Sequence, residues 1–322
     1  MKAAVIQGAG KPPIYADFAA PVPATGEQRV TVTAAALSHV VKSRASGSHY
    51  SSSGQFPFVA GIDGVGHLDD GTRVYFVLPR APYGSMAERT VVPAAQCLPL
   101  PDGLDDATAA AIANPGMSSW AALKERAKLK AGESVLVNGA TGAAGRLAVQ
   151  IAKHLGARKV IATGRNAETL RSLVALGADV TIPLIANEDV MEDKFKEQFA
   201  AGVDVVIDYL WGKSAELLLI AAAKAGPEGV PIRFVQIGSV SGSNITLPSA
   251  VLRSSAIELM GSGINSIPLE RLVDAIGGVL HAAIPGGFQI AIKTVPLSEV
   301  ERAWSDDDST RRTVFTVGVK GT

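Results

Sequence analysis

The sequence predicts an α/β protein in which a doubly wound parallel sheet, with helices on both faces, is inserted into a β-rich domain. Three observations predict it: β-rich runs broken by Gly and Pro up to about residue 100, strict alternation of β-branched runs with helical patterns after residue 133, and a return to β character in the tail. At 322 residues, 47% hydrophobic and only 19% charged, the chain suits two packed cores rather than a disordered or fibrous polymer. The expected division is 1–120 with 263–322 for the β-rich domain and 121–262 for the inserted one.

The first strands are expected at KAAVIQ (2–7), RVTVTAAAL (29–37), FVAGIDGVG (58–66), RVYFVL (73–78) and ERTVVPA (88–94). An Ala-rich connecting segment spans 104–129. Asn114-Pro115-Gly116 interrupts it, where one helix is expected to stop and another to begin. The alternating part then reads as strands ESVLVNG (133–139), KVIATG (159–164), DVTIPL (179–184), VDVVIDYL (203–210), RFVQIG (233–238) and IELMGSG (257–263), with helices between them. The tail adds KTVPL (293–297) and RRTVFTVGV (311–319) around a short helix.

Composition excludes several functions. Thirty basic residues balance 30 acidic ones, so no electrostatic footprint for nucleic acid or an anionic membrane is expected. No window reaches the length of a membrane span, the N-terminus has too short an apolar run for a signal peptide, and a cytoplasmic protein is expected. The single cysteine, Cys97, precludes an intrachain disulfide and a cysteine-rich zinc lobe.

The chemistry is concentrated in VLVNGATGAAGRLAVQIAKHLGARKVIATGRN, 135–166. Gly139, Gly142 and Gly145 stand at three-residue intervals after a strand and at the mouth of a helix, with Thr141, Ala143 and Ala144 between them. That pattern lets a pyrophosphate approach the backbone and meet the unpaired N–H groups of a helix N-terminus, as in the Rossmann dinucleotide turn. A nucleoside triphosphate P-loop would need Lys-Ser/Thr after the last glycine, where Arg146-Leu147 stand. NAD binders usually carry an acid at the end of the second strand; here Gly164 is followed by Arg165, whose guanidinium suits a 2′-phosphate, so NADP(H) is the expected cofactor. Tyr209 and Lys213 match a Tyr-x-x-x-Lys pair, but Gly212 and the preceding strand argue against the long helix that pair requires.

With these residues in hand, the chain resembles the medium-chain dehydrogenase/reductase superfamily, in its zinc-independent quinone oxidoreductase and enoyl reductase branch. The resemblance runs along the whole length, through MKAAVI, RASGSHY, PFVAGIDGVG, GSMAERTVVPAAQCLPLPDGL, ANPGMSSWAAL, the glycine turn, GVDVVIDYLWG, RFVQIGS and VPLSEVERAW. It implies a Rossmann domain inserted in a GroES-like catalytic domain. The places of zinc ligands in metal-dependent relatives correspond to Ala36-Leu37-Ser38, Ile62-Asp63 and Ala113-Asn114, which supply no thiolate or imidazole. His39, His49 and His67 with Asp63 form a chemically sensible metal set, but they fall beside those places and no metal is expected.

The resemblance further implies Tyr50, at the end of GSHY, and Ser38 as the catalytic candidates that polarise or protonate the acceptor. It adds Ser118, Tyr209, Gly238 and Ser239 to the cofactor site. Ser38 and Val41 stand where quinone reductases often carry an asparagine and an aspartate, and Glu168 and Leu184 where further 2′-phosphate contacts occur. The expected activity is NADPH-dependent hydride transfer to a quinone or α,β-unsaturated carbonyl, with an enoyl-thioester reductase or a non-catalytic NADPH-binding, redox-sensing protein as alternatives. A homodimer joined along the IELMGSG strand is expected from the same resemblance.

Overall fold

β-Branched runs pair along the first third of the chain in the computed structural model, which describes residues 1–47, 54–184, 187–306 and 311–318. The elements there are β1 (Lys2–Ile6), β2 (Ile14–Asp17), β3 (Glu27–Ala36), α1 (His39–Ser46), β4 (Phe58–Val59), β5 (Asp63–Leu68), β6 (Arg73–Val77), β7 (Arg89–Pro93) and β8 (Cys97–Pro99). The run FVAGIDGVG is two strands rather than one, β4 and β5. Between them Gly61 takes φ +99, and a Cβ there would lie 2.2 Å from Ser85 Oγ, so only glycine fits the bend.

Next come α2 (Asp106–Ala121), β9 (Ser134–Asn138), α3 (Ala143–His154), β10 (Lys159–Gly164), α4 (Ala167–Ser172), β11 (Val180–Pro183), α5 (Glu188–Ala200), β12 (Val205–Asp208), α6 (Gly212–Ala225), β13 (Ile232–Gln236), α7 (Ser249–Arg253), β14 (Ile257–Gly261) and α8 (Leu269–Ala283). The chain ends through β15 (Ile292–Pro296), α9 (Val300–Ala303) and β16 (Arg312–Thr316). Among the described residues, no helix is long and apolar enough to cross a membrane.

The break expected at Asn114-Pro115-Gly116 does not occur. α2 runs through Pro115 and continues into a π-helical turn at Ala122–Arg126. Pro115 cannot donate to the preceding turn, but the backbone is held from the other side: Ser118 and Ser119 donate their hydroxyls to the carbonyls of Pro115 and Gly116. Burial of Ala109 to Ala113 outweighs the proline's local cost.

Two compact units result, Met1–Asn114 with Val279–Thr322, and Pro115–Gly278. The crossings lie inside α2 and α8, whereas the sequence placed them at 120/121 and 262/263. In the first unit, a seven-stranded sheet has the order β15-β16-β3-β5-β6-β8, with β7 also on β3, and β2-β1-β4 form a separate small sheet. Val30, Val32, Val74, Phe76, Val92 and Phe315 fill the core of this unit.

In the second unit, six strands run in the order β11-β10-β9-β12-β13-β14, and every pair is parallel. Parallel strands covered on both faces must be apolar throughout, and VLV and VVI are fully buried. α3 turns Leu147, Ala148, Ile151 and Ala152 toward the core at helical spacing. The strand order reverses between β9 and β12, and in open sheets of this kind ligands bind outside the carboxyl ends of the strands at such a point.

Candidate cofactor site

At the carboxyl end of β9, Gly139 turns the chain with φ +90, a conformation costly for any residue with a side chain. Its N–H donates to Thr163 Oγ1 at 3.1 Å, and Ala140 N–H to the Thr163 carbonyl at 2.7 Å, which ties the turn to the neighbouring strand. α3 starts at Ala143 behind Gly142, with no side-chain cap and no acid in its first turn. The first N–H groups of that helix therefore have no partner within the helix and present the positive end of its dipole. Gly142 is exposed, and a Cβ built on it would meet nothing within 4 Å. At Gly145 a Cβ would lie 2.3 Å from the Gly139 carbonyl oxygen, so only glycine lets α3 approach the turn. Open backbone beside an uncapped helix terminus is the cradle a pyrophosphate fits.

The second strand ends beside that turn. Gly164 is buried against Thr141, and Arg165 follows it into solvent. Asn166 caps α4, its side chain accepting from Thr169 N–H at 2.9 Å. Glu168 is exposed in the first turn of α4, where it favours the helix dipole and offers no positive charge. Thus Gly139, Thr141, Gly142, Ala143, Ala144, Gly145, Gly164 and Arg165 gather at the ends of β9 and β10.

A second group gathers past β12 and β13. Tyr209 is buried, its hydroxyl 3.1 Å from Ser118 Oγ. Ser118 spends its own hydrogen on the Pro115 carbonyl at 2.7 Å, so the tyrosine must donate. Burial pushes the Tyr209 hydroxyl up to about 12, which keeps it protonated at neutral pH. Gly238 follows β13 against the Tyr209 backbone, and Ser239 lies in a 440 Å³ cleft with Trp211, Gln236, Ser243, Leu259, Met260 and Gly261. Lys213 lies instead in the first turn of α6, paired with Glu188 at 3.0 Å and Glu216 at 3.6 Å.

Of the two catalytic candidates, Ser38 belongs to the first unit. Tyr50 lies outside the described residues, as does His49. Ser38 is buried and caps α1, its Oγ accepting from Val41 N–H at 3.2 Å. At the start of β5, Asp63 is fully buried, accepting from Tyr75 OH at 2.6 Å and from Asn114 Nδ2 at 3.4 Å. Burial pushes its carboxyl up, opposed by the Tyr75 hydrogen bond, the Arg312 charge and Asn114. Among the described residues, no three His, Cys, Asp or Glu side chains gather as a metal site would require.

Sequence reasoning missed a polar cluster beneath the cofactor turn: Asn138, Thr163, Asp208 and Ser214, all buried. Asn138 Nδ2 donates to Asp208 Oδ1 at 2.8 Å and Ser214 Oγ at 3.0 Å, and its Oδ1 accepts from Thr163 Oγ1 at 2.7 Å. The signal was present, since the apolar runs VLVN and VVID each end in a single amide or acid.

Residues 143–277 match the family described as zinc-binding dehydrogenase. A probable NADPH-dependent quinone reductase from Emericella nidulans is 31% identical, over 96% of this chain and 98% of its own length. A 2-haloacrylate reductase from a Burkholderia species is 30% identical over 94% of this chain and 93% of its own. The solved quinone oxidoreductase of Thermus thermophilus, a protein also determined in complex with NADPH, superposes with a TM-score of 0.81 at 28% identity, covering 98% of this chain and 100% of its own.

Proposed function

The chain belongs to the quinone oxidoreductase branch of the medium-chain dehydrogenase/reductase superfamily, and from that membership we propose an NADPH-dependent reductase of quinones or α,β-unsaturated carbonyls that works without zinc. The observation that carries the reading is the glycine turn at the head of the uncapped α3, with Arg165 one residue past the adjacent strand. When bound, NADPH supplies a hydride from C4 of its nicotinamide. Gly139 to Gly145 would hold the pyrophosphate through backbone N–H groups, and Arg165 the 2′-phosphate through its guanidinium fork. Ser118, Tyr209, Gly238 and Ser239 would bound the nicotinamide end.

A metal-free reduction needs hydrogen-bond donors to polarise the acceptor oxygen as the hydride arrives. Ser38 accepts from Val41 and so retains its O–H for donation, and Tyr50 is the proposed proton donor. The residues at the places of zinc ligands do not fit the ion. Ser38 is a helix cap, Ile62 has no donor atom, and the Asp63 carboxylate is engaged by Tyr75 and Asn114. The names of the two relatives, a quinone reductase and a haloacrylate reductase, support an acceptor with a conjugated C=O or C=C. A homodimer formed along the outer edge of β14 belongs to the same reading, supported by the exposure of Leu259 on that strand.

Steady-state NADPH oxidation against a panel of quinones, enones and enoyl thioesters tests the proposal. Turnover with quinones or enones supports it. Tight NADPH binding with no turnover on any acceptor would replace it with a non-catalytic NADPH-binding protein.

A further inference from the structure

The last residues of β9 and β12, Asn138 and Asp208, face each other in register where the strand order reverses. Both are completely buried, and each closes a run of buried aliphatic residues. An ionisable side chain there carries a desolvation cost that a valine would avoid, and burial indeed pushes the Asp208 carboxyl up.

What the cost secures can be traced atom by atom. Asp208 Oδ1 accepts from Asn138 Nδ2 at 2.8 Å, Leu210 N–H at 2.9 Å and Trp211 N–H at 3.2 Å, while Oδ2 accepts from Trp211 N–H at 3.1 Å. Trp211 holds φ 57 and ψ −156, a region nearly restricted to glycine, so the carboxylate pins a strained turn. The backbone carbonyl of Asp208 accepts from Ile237 N–H at 2.7 Å and Gly238 N–H at 3.1 Å, which fixes the segment after β13 as well. In the other direction the chain of hydrogen bonds continues from Asn138 Oδ1 to Thr163 Oγ1, and from Thr163 Oγ1 to Gly139 N–H. Thr163 stands two residues before Arg165.

We infer that Asp208, acting through Asn138 and Thr163, is a positioning residue that holds both ends of the cofactor site in one register: the glycine turn and Arg165 on one side, the Tyr209 to Trp211 turn and Gly238 on the other. The inference rests on the NADP(H) reading above. It differs from a local cap on the Trp211 turn in one consequence. A local cap serves only the nicotinamide side, whereas a relay through Asn138 and Thr163 also sets the adenosine side.

Calorimetric titration of the full-length protein with NADPH and with 2′,5′-ADP, which carries only the adenosine end, separates the two. Asp208→Ala is expected to weaken NADPH about 10-fold or more and 2′,5′-ADP at least about 5-fold. Asp208→Asn, which keeps an acceptor oxygen toward Asn138, Leu210 and Trp211, is expected to stay within about 3-fold for both ligands. Thr163→Val, nearly isosteric and outside the Trp211 turn, is expected to weaken 2′,5′-ADP about 3- to 10-fold, and it carries the test if Asp208→Ala does not fold. Unchanged 2′,5′-ADP affinity in Asp208→Ala, or in Thr163→Val where Asp208→Ala does not fold, would overturn the inference. If the wild-type protein binds neither ligand, the cofactor reading itself fails, an outcome plainly different from tight wild-type binding with indifferent variants.

Discussion

Arg165 emerges into solvent one residue beyond β10, and no hydrogen bond or ion pair to it is formed among the described residues. A guanidinium with no protein partner has its full fork available to a phosphate. Because Glu168 and Leu184 offer no positive charge, the proposed selectivity for the 2′-phosphate would fall on this side chain. Arg165→Ala is expected to weaken NADPH binding by about 1–3 kcal/mol and to leave NADH nearly unaffected, as read by titration with both nucleotides. Equal losses for the two would place the guanidinium elsewhere in the site. Tyr209 presents the opposite case, a buried hydroxyl whose proton is committed to Ser118. Its folded-state value of about 12 lies above the unfolded value of about 10, so it contributes stability that is complete below about pH 10 and lost as pH rises toward 12. Tyr75 is raised as well, chiefly by burial and then by the Asp63 charge. Urea unfolding between about pH 9 and 11.5 is therefore expected to show falling stability, with a shallower fall in Tyr209→Phe and some slope remaining from Tyr75.

Elements carry the consequences of close approach. α3 can reach the glycine turn only because position 145 has no side chain, and a methyl there would sit 2.6 Å from the Ala140 Cα. Gly145→Ala is expected to destabilise the fold by about 1–3 kcal/mol and to reduce NADPH affinity at least about 10-fold, since the helix must retreat from the phosphates. Thermal melts with and without NADPH would read both effects; a variant with unchanged melting temperature and affinity would refute them. The same elements show how much could be read from sequence. Gly139 and Gly145 are legible because a turn at φ +90 and a helix packed directly against it leave only glycine at those offsets, whereas Gly142 meets nothing within 4 Å and its glycine is explained only by the proposed phosphate contact. The parallel strands are legible because burial on both faces removes polar residues. Pro115 misled because helix propensity is a local quantity, whereas the burial of Ala109 to Ala113 and the Ser118 and Ser119 hydroxyls are compensations that a local reading does not weigh. Asn138 and Asp208 were each visible as the polar end of an apolar run, but their pairing was not, since only the strand order makes neighbours of two residues from separate runs. Tyr50 stays at the level of resemblance.

At the scale of the whole chain, the first unit is discontinuous in sequence. Its central sheet closes only when β16 pairs with β3, Val314 against Ala36 and Phe315 against Ala35, after the entire second unit has intervened. The second unit is one continuous stretch, Pro115–Gly278, and its Met117, Trp120, Ala121, Ile267, Leu272 and Ala275 cluster lies wholly within those bounds. From this arrangement an order of folding is expected. The inserted nucleotide-binding unit can condense from contacts within its own stretch of chain, and doing so draws the two flanks of the first unit together. That replaces the closure of a long flexible loop by the joining of two ends already brought near, so most of the entropy of closure is removed before β16 docks. A fragment of residues 115–278 is expected to fold cooperatively by itself, and in refolding of the full chain NADPH-binding competence is expected to precede burial of Phe315. Refolding in which Phe315 is protected first would reverse that order. In that expected order, the unit that carries the glycine turn is formed while the sheet of the first unit still lacks β16.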